Sequence, residues 1–184
     1  SRTMAWDRLG DYLHQTKIIG SIASTLYWDQ NTRMPSGGAA WRGEQLALLA
    51  IQLHSRQSSR EYADLIQEAR VEWSHSGLST TEQAARGRNL DLLEQDLRRQ
   101  QALDPTLVAA LATAKANGYN NWQQARADSD FSLFAPSLRS MIGLRQEQAR
   151  QLAEPRICWE TLAQPFEPDL TLKRLQELFA PLRQ

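Results

Sequence analysis

Leu9, Tyr12, Leu13, Ile19, Ile22, Ala23 and Leu26 recur on a three-to-four-residue rhythm between Met4 and Tyr27, with only Gly20 weakening the run. Such spacing gathers side chains on one face of an α-helix, whereas a strand sends successive side chains to opposite faces. The rhythm returns in almost every later segment, and none sustains the period-two alternation of β-branched residues that a sheet needs. The expected fold class is all-α, an antiparallel helical bundle or array of about six to seven helices.

Local signals divide the chain. Leu46, Leu49, Ala50 and Leu53 predict a second helix that ends at a Ser/Arg/Gln-rich break over 55–59. Ser58 with Glu61 and Ser79 with Glu82 read as capping boxes, opening helices that carry Tyr62, Leu65, Ile66, Ala69 and Trp73, then Leu90, Leu93 and Leu97. Asp104-Pro105 supplies an N-cap and a first-turn proline for a helix with Leu107, Leu111, Ala114 and Trp122 facing inward. Phe131, Phe134, Leu138 and Met141 share a face of the next helix, which tolerates Pro136 near its start and runs to about Ala153. Pro155, Pro165 and Pro168 make 154–170 a connector with at most one short helix around Trp159. Thr171 caps a last helix with Leu172, Leu175, Phe179 and Leu182 facing inward. That stripe is still apolar at Leu182, which suits either an ordinary domain end or a face on which more protein docks.

A chain of 184 residues reads as a single helical domain, 1–184. Lys and Arg number 21 and so do Asp and Glu, so no overall field draws in nucleic acid or an anionic membrane. No uncharged apolar run approaches the roughly 20 residues that cross a bilayer. A lone cysteine, Cys158, and an N-terminus without a basic-then-apolar leader suit a reducing cytoplasm.

Hydrolytic chemistry is sparse. The histidines are His14, His54 and His75; no two stand three or four apart and none lies in HExxH, so they read as surface or helix-end residues rather than metal ligands. Cys158 has no histidine near it in sequence and reads as a half-buried structural thiol. Gly37-Gly38 follows no strand and precedes no Gly-Lys-Ser/Thr, so it gives room for a turn rather than a phosphate. Tyr119 to Trp122 with Arg126 has the composition of a base-stacking platform, but the balanced charge and helical phase favour Trp122 as core.

The stretch YWDQNTRMPSGG, residues 27–38, interrupts the helical rhythm. Its plainest reading is a helix-helix turn. Tyr27 and Trp28 close the first face, Asp29 or Asn31 bonds loop amides, Pro35 keeps the first helix from resuming, and Ser36 caps the second.

Trp28-Asp29-x-x-Thr32-x-Met34-Pro35, followed by Arg42, Gln45, Leu46 and Leu49, resembles the N-terminal signature of the thermostable (Taq-type) carboxypeptidases, metallopeptidase family thirty-two. DFSLFAPSL at 130–138 resembles that family's acidic-Phe-x-x-Phe-x-Pro-x-Leu segment, and FEPDLTLKRLQELFAPLR at 166–183 its Phe/Tyr-Glu-Pro-Gly segment and following helix. The departures lie in the connector. Trp159-Glu160 stands for Tyr-Asp, Gln164 for a second acid, and Asp169 for the glycine after Glu-Pro.

The resemblance implies the N-terminal part of a larger helical enzyme that removes C-terminal residues from peptides. Members are usually homodimers and hold zinc or another divalent metal through an HExxH helix and a downstream glutamate. All of that machinery is expected beyond Gln184, so the chain itself should have no cofactor and no catalysis of its own. Trp28, Asp29, Thr32, Met34, Pro35 and Arg42 become the candidate loop and groove residues, with an Asp29–Arg42 pair pinning the turn. A helical interaction module that kept this region and lost catalysis is the alternative.

Overall fold

The computed structural model describes residues 4–183, and no strand occurs among them. Eight α-helices do: α1 (Ala5–Thr32), α2 (Ala39–Ser58), α3 (Arg60–Ser74), α4 (Thr80–Ala102), α5 (Pro105–Asp128), α6 (Ala135–Leu152), α7 (Cys158–Ala163) and α8 (Leu172–Phe179). Seven match the helices the spacing predicts, and α7 is the short one allowed around Trp159. Residues 1–3 and 184, the ends of the expected domain, lie outside the described residues. None of the described helices is long and apolar enough to cross a membrane.

Helix α1 has 28 residues, about 42 Å at 1.5 Å per residue, and serves two packing groups. Its first half joins α3 and α4 in the main core, where Leu9, Ile66 and Leu90 are almost wholly inaccessible and Ala5, Tyr12, Tyr62, Ala69 and Leu97 surround them. The rings of Tyr12 and Tyr62 stack with centroids 5.3 Å apart, and the Arg56 guanidinium lies 4.0 Å from the Tyr12 ring centre. Met4 gives α1 no side-chain cap; the Glu72 carboxylate, reaching over from α3, accepts the Ala5 and Trp6 amides at 2.6 and 3.4 Å. A negative group there satisfies orphan donors and complements the helix dipole.

The second half of α1 lies on α2, which packs most extensively on α5, and α5 in turn on α6. Small residues at Gly43, Ala116, Ala125 and Ala149 are partly or fully buried there and let helix backbones approach. At Gly87 of α4 a glycine is required. An added Cβ would stand 2.7 Å from Cζ2 of Trp73, whose indole N–H donates to the Gln83 carbonyl at 2.7 Å.

Several caps agree with the sequence. Asp104 accepts the Thr106 amide ahead of Pro105, Thr171 accepts that of Arg174, and Ser79 accepts that of Glu82. Others shift. The cap of α3 is Ser59 rather than Ser58, because Ser59 takes the extended backbone (φ −70°, ψ 153°) and accepts the Tyr62 amide. Ser58 ends α2 and donates to the His54 carbonyl four residues back. The break expected at 55–59 therefore shrinks to a single residue. Arg56 is held within α2 by donating to the Tyr12 carbonyl and the Thr16 hydroxyl of α1.

Burial overturns four expectations. His54 is buried, its Nδ1 3.1 Å from Oε1 of Gln100, whereas His14 and His75 are exposed. Cys158 is exposed rather than half-buried, because α7 turns its first residue outward. Trp122 is 40 % exposed, on the rim of a cleft rather than in the core. Leu172, Phe179 and Leu182 do not face inward: α8 packs appreciably only on the turn at its own end, which leaves them exposed and Leu175 half-buried.

Candidate functional site

The six candidate residues flank the junction of α1 and α2. Helix α1 runs five residues past Tyr27, so Trp28, Asp29 and Thr32 occupy its last turns rather than a loop. The Asp29 carbonyl accepts the amides of Arg33 and Met34 at 2.8 and 2.9 Å and ends the helix. Pro35 then sets an extended backbone before a single 3₁₀ turn, Ser36–Gly38, that leads into α2. Ser36 does not cap α2. Gly38 stands at that position with no side-chain bond, because the 3₁₀ turn supplies the first helical geometry.

Arg42, one turn into α2, reaches back across this corner. Its Nη2 donates to Oδ2 of Asp29 at 2.7 Å, its Nη1 to the Leu26 carbonyl at 2.6 Å and its Nε to Oε1 of Gln45 at 2.9 Å. The guanidinium side chain is only 13 % exposed, so these three bonds replace most of its hydration. Asp29 alone does not explain the position. The arginine also bonds the Leu26 carbonyl of α1, so it ties the backbone of the first helix to the second as well as pairing a charge.

The remaining candidates hold the same corner or face outward. Thr32 donates its hydroxyl to the Trp28 carbonyl at 2.6 Å. The Met34 side chain lies over Gly38, where an added Cβ would stand 3.2 Å from its Cγ. Trp28 is 60 % exposed, Pro35 is exposed, and Trp41, the second residue after Ala39, exposes its indole as well. The structure thus joins Asp29 to Arg42 and Met34 to the turn, while Trp28 and Pro35 make an outer surface.

Gln30 is passed over in the sequence because it is polar. This buried side chain faces α5, donates from Nε2 to the Ala116 carbonyl at 3.1 Å, and leaves Oε1 without a hydrogen-bond partner. Beside it Lys115 Nζ lies 4.3 Å from the ring centre of Tyr27, whose hydroxyl burial pushes above its ordinary pKa. Gln30 continues the stripe of Ala23 and Leu26, seven and four residues back, so its phase points inward and only its polarity argues for the surface. Only the arrival of α5, 86 residues on, buries it.

This arrangement fixes a corner and brings no nucleophile to a base. Nor do the described residues suit a metal ion, since no three His, Cys, Asp or Glu among them converge as ligands would.

Residues 8–184 match the model of the carboxypeptidase Taq (M32) metallopeptidase family. Thermostable carboxypeptidase 1 of Thermus thermophilus is 27 % identical over 98 % of the chain, and carboxypeptidase 1 of Bacillus subtilis 25 % identical over 95 %. Those alignments take in 36 % and 34 % of the relatives, so the chain spans about a third of their length. Among solved structures, BsuCP superposes with a TM-score of 0.86 at 22 % identity, over 97 % of this chain and 35 % of that one. The M32 carboxypeptidase of Deinococcus radiodurans gives 0.71 at 25 % identity, over 97 % and 35 %.

Proposed function

The chain belongs to the carboxypeptidase Taq (M32) metallopeptidase family, and from that premise we propose that it forms the N-terminal helical region of a zinc-dependent carboxypeptidase. In this reading it walls and covers a peptide groove and contributes no catalytic group. The observation that carries it is the family match over 8–184, joined to relatives about three times as long as this chain. Since these residues do not fit a metal, no step of hydrolysis is assigned to them. The peptide substrate, the homodimer and the cytoplasmic setting belong to the same proposal.

Two measurements test it. The reading frame past codon 184 should continue in frame into an HExxH helix, and the purified chain alone should bind no stoichiometric zinc and cleave no peptide. Stoichiometric zinc with chelator-sensitive peptidase activity in the chain would sink the reading. A stop codon would favour the interaction module instead, although that module should carry a polar surface where the catalytic part once docked, and the exposed apolar face of α8 suits the docking of more protein better.

Within this reading, Asp29 and Arg42 pin the turn so that Trp28, Met34 and Pro35 keep a fixed outward corner. Asp29→Ala should speed hydrogen exchange at the Arg33 and Met34 amides by severalfold, a shift of about 1 kcal/mol for one partly exposed pair. Unchanged exchange there, with unchanged activity of the full-length enzyme, would reduce the motif to a plain turn.

A further inference from the structure

Lys115, Tyr119, Trp122 and Arg126 follow one another on α5 at steps of four, three and four, so they share one narrow stripe of the helix. Opposite them, Phe134, Leu138 and Met141 keep steps of four and three along the start of α6. Between the two rows lies a cleft of about 290 Å³ with Gly118 among its lining residues. The amide of Asn121 donates to the Ser137 hydroxyl at 2.7 Å and ties the helices together beside it. The cleft is almost wholly apolar in lining and open to solvent, with Trp122 and Leu138 both more than a third exposed.

An apolar cleft by itself names no occupant; Lys115 on its lining, and Arg126 one turn beyond Trp122 on the same stripe of α5, narrow the choice. Lys115 rests on the Tyr27 ring, and the Arg126 guanidinium lies 5.5 Å from the centre of the Trp122 ring. Neither makes an ion pair with a carboxylate among the described residues. Eleven residues of helix separate them by about 16 Å, which an extended peptide crosses in about five residues. A peptide with acids at that spacing satisfies both cations while an apolar side chain between them fills the cleft. Stacked bases suit the site less well. Tyr119 and Trp122 are inclined at 39° with centroids 5.8 Å apart, and the chain has no net positive charge to follow a phosphate backbone.

We propose that the α5–α6 cleft docks an extended acidic-apolar peptide segment, one apolar side chain entering between Trp122 and Leu138 and carboxylates five residues apart pairing with Lys115 and Arg126. The site is a docking surface, independent of any hydrolytic step.

The test uses the whole chain and a labelled, N-acetylated, C-amidated peptide, Glu-Gly-Phe-Ser-Gly-Glu, whose blocked end removes any contribution from carboxypeptidase action. Fluorescence anisotropy should show saturable one-to-one binding. Trp122→Ala, Lys115→Glu and Arg126→Glu should each weaken it about tenfold, and a peptide with its acids two residues apart should bind several-fold more weakly. Lys115 and Arg126 are exposed, so their variants keep the fold even if Trp122→Ala does not. Three results would overturn the proposal: no saturable peptide binding, whether or not the chain instead self-associates through Trp122; binding indifferent to both charge reversals; or tighter binding of a single-stranded oligonucleotide than of the peptide.

Discussion

Leu90 on α4 and Phe179 on α8 both sit in stripes of apolar residues spaced for a helix, yet Leu90 is 0 % exposed and Phe179 is 52 % exposed. The difference does not lie in the helices. Helix α8, with Leu172, Leu175 and Phe179 on one face and Lys173, Arg174 and Glu177 elsewhere, is as cleanly two-sided as any in the chain. What differs is the neighbour. Around Leu90, α1 and α3 supply Leu9, Tyr62 and Ile66, whereas α8 packs appreciably only on the turn Ala180–Arg183. Amphipathicity belongs to a helix, and burial belongs to a helix and its partner.

The largest effect expected from this contrast is in stability. Leu90→Ala should cost about 2–5 kcal/mol in urea unfolding, since the cavity left under α1 and α3 has no exposed side through which to collapse. Leu182→Ala, at the exposed end, should stay within about 0.5 kcal/mol. Equal losses would erase the distinction between the two regions.

Gly87→Ala sharpens the contrast from inside the core. Alanine gains about 1 kcal/mol of helix propensity over glycine. Its Cβ would meet the Trp73 ring at 2.7 Å, however, and the Trp73–Gln83 bond keeps that ring from retreating. A net loss of about 1–3 kcal/mol is expected. Trp73→Phe in the same chain should recover part of it by removing the ring atoms that clash.

A pH profile separates the regions with a smaller signal. Burial, with the Asp96 charge and Tyr12 adding to it, pushes the Tyr62 hydroxyl up to about 12, from 10.0 for the unperturbed group. The folded state therefore holds this proton more tightly than the unfolded chain does. The stability that follows is complete below pH 10 and is lost as pH rises from 10 toward 12. Tyr62→Phe should reduce the slope of urea midpoints measured across that interval, leaving the part that Tyr27, also raised by burial, contributes. Residues 154–183 contain no tyrosine, so changes there should leave the slope alone.

Much of the fold is legible in the sequence because its signals are local. Asp104-Pro105, Ser79 and Thr171 each satisfy an amide two or three residues away, and such bonds need no tertiary partner. The one-residue error at Ser58 and Ser59 arises because both side chains can cap and only the backbone angle decides between them. At the candidate site, the Asp29–Arg42 pair follows from opposite charges either side of a short turn, and the structure contains it. Arg42's bond to the Leu26 carbonyl and the polar partners that Gln30 and His54 find on α5 and α4 depend on contacts no local pattern encodes, although both residues stand in phase with apolar stripes. Trp122 fails for a related reason: its phase is that of a core residue, but α6 is set so that its apolar row and the row on α5 leave a cleft between them.

The smallest expected effect lies in the connector, where the chain departs from its family's resemblance at Glu160, Gln164 and Asp169. These three residues form one knot. Oε1 of Glu160 accepts the Leu172 amide at 2.6 Å, Nε2 of Gln164 donates to the Leu170 carbonyl at 3.3 Å, and Oε1 of Gln164 accepts the Asp169 amide at 2.9 Å. Asp169 has φ 64°, in the left-handed region that glycine enters without steric cost. The glycine expected there thus has a physical reason, and aspartate is among the few other residues that tolerate the position. Asp169→Gly should relieve the strain while giving the unfolded chain more freedom, so the two contributions nearly offset and urea unfolding should change by less than about 1 kcal/mol. Gln164→Glu keeps the acceptor for Asp169 and removes the donor to Leu170, so it should loosen the knot without disturbing the α1–α3–α4 core. Hydrogen exchange should then rise over 165–171 alone. Exchange that also rose at Ile66 and Leu90 would mean that the two regions unfold as one unit and that the exposed face of α8 is coupled to the core.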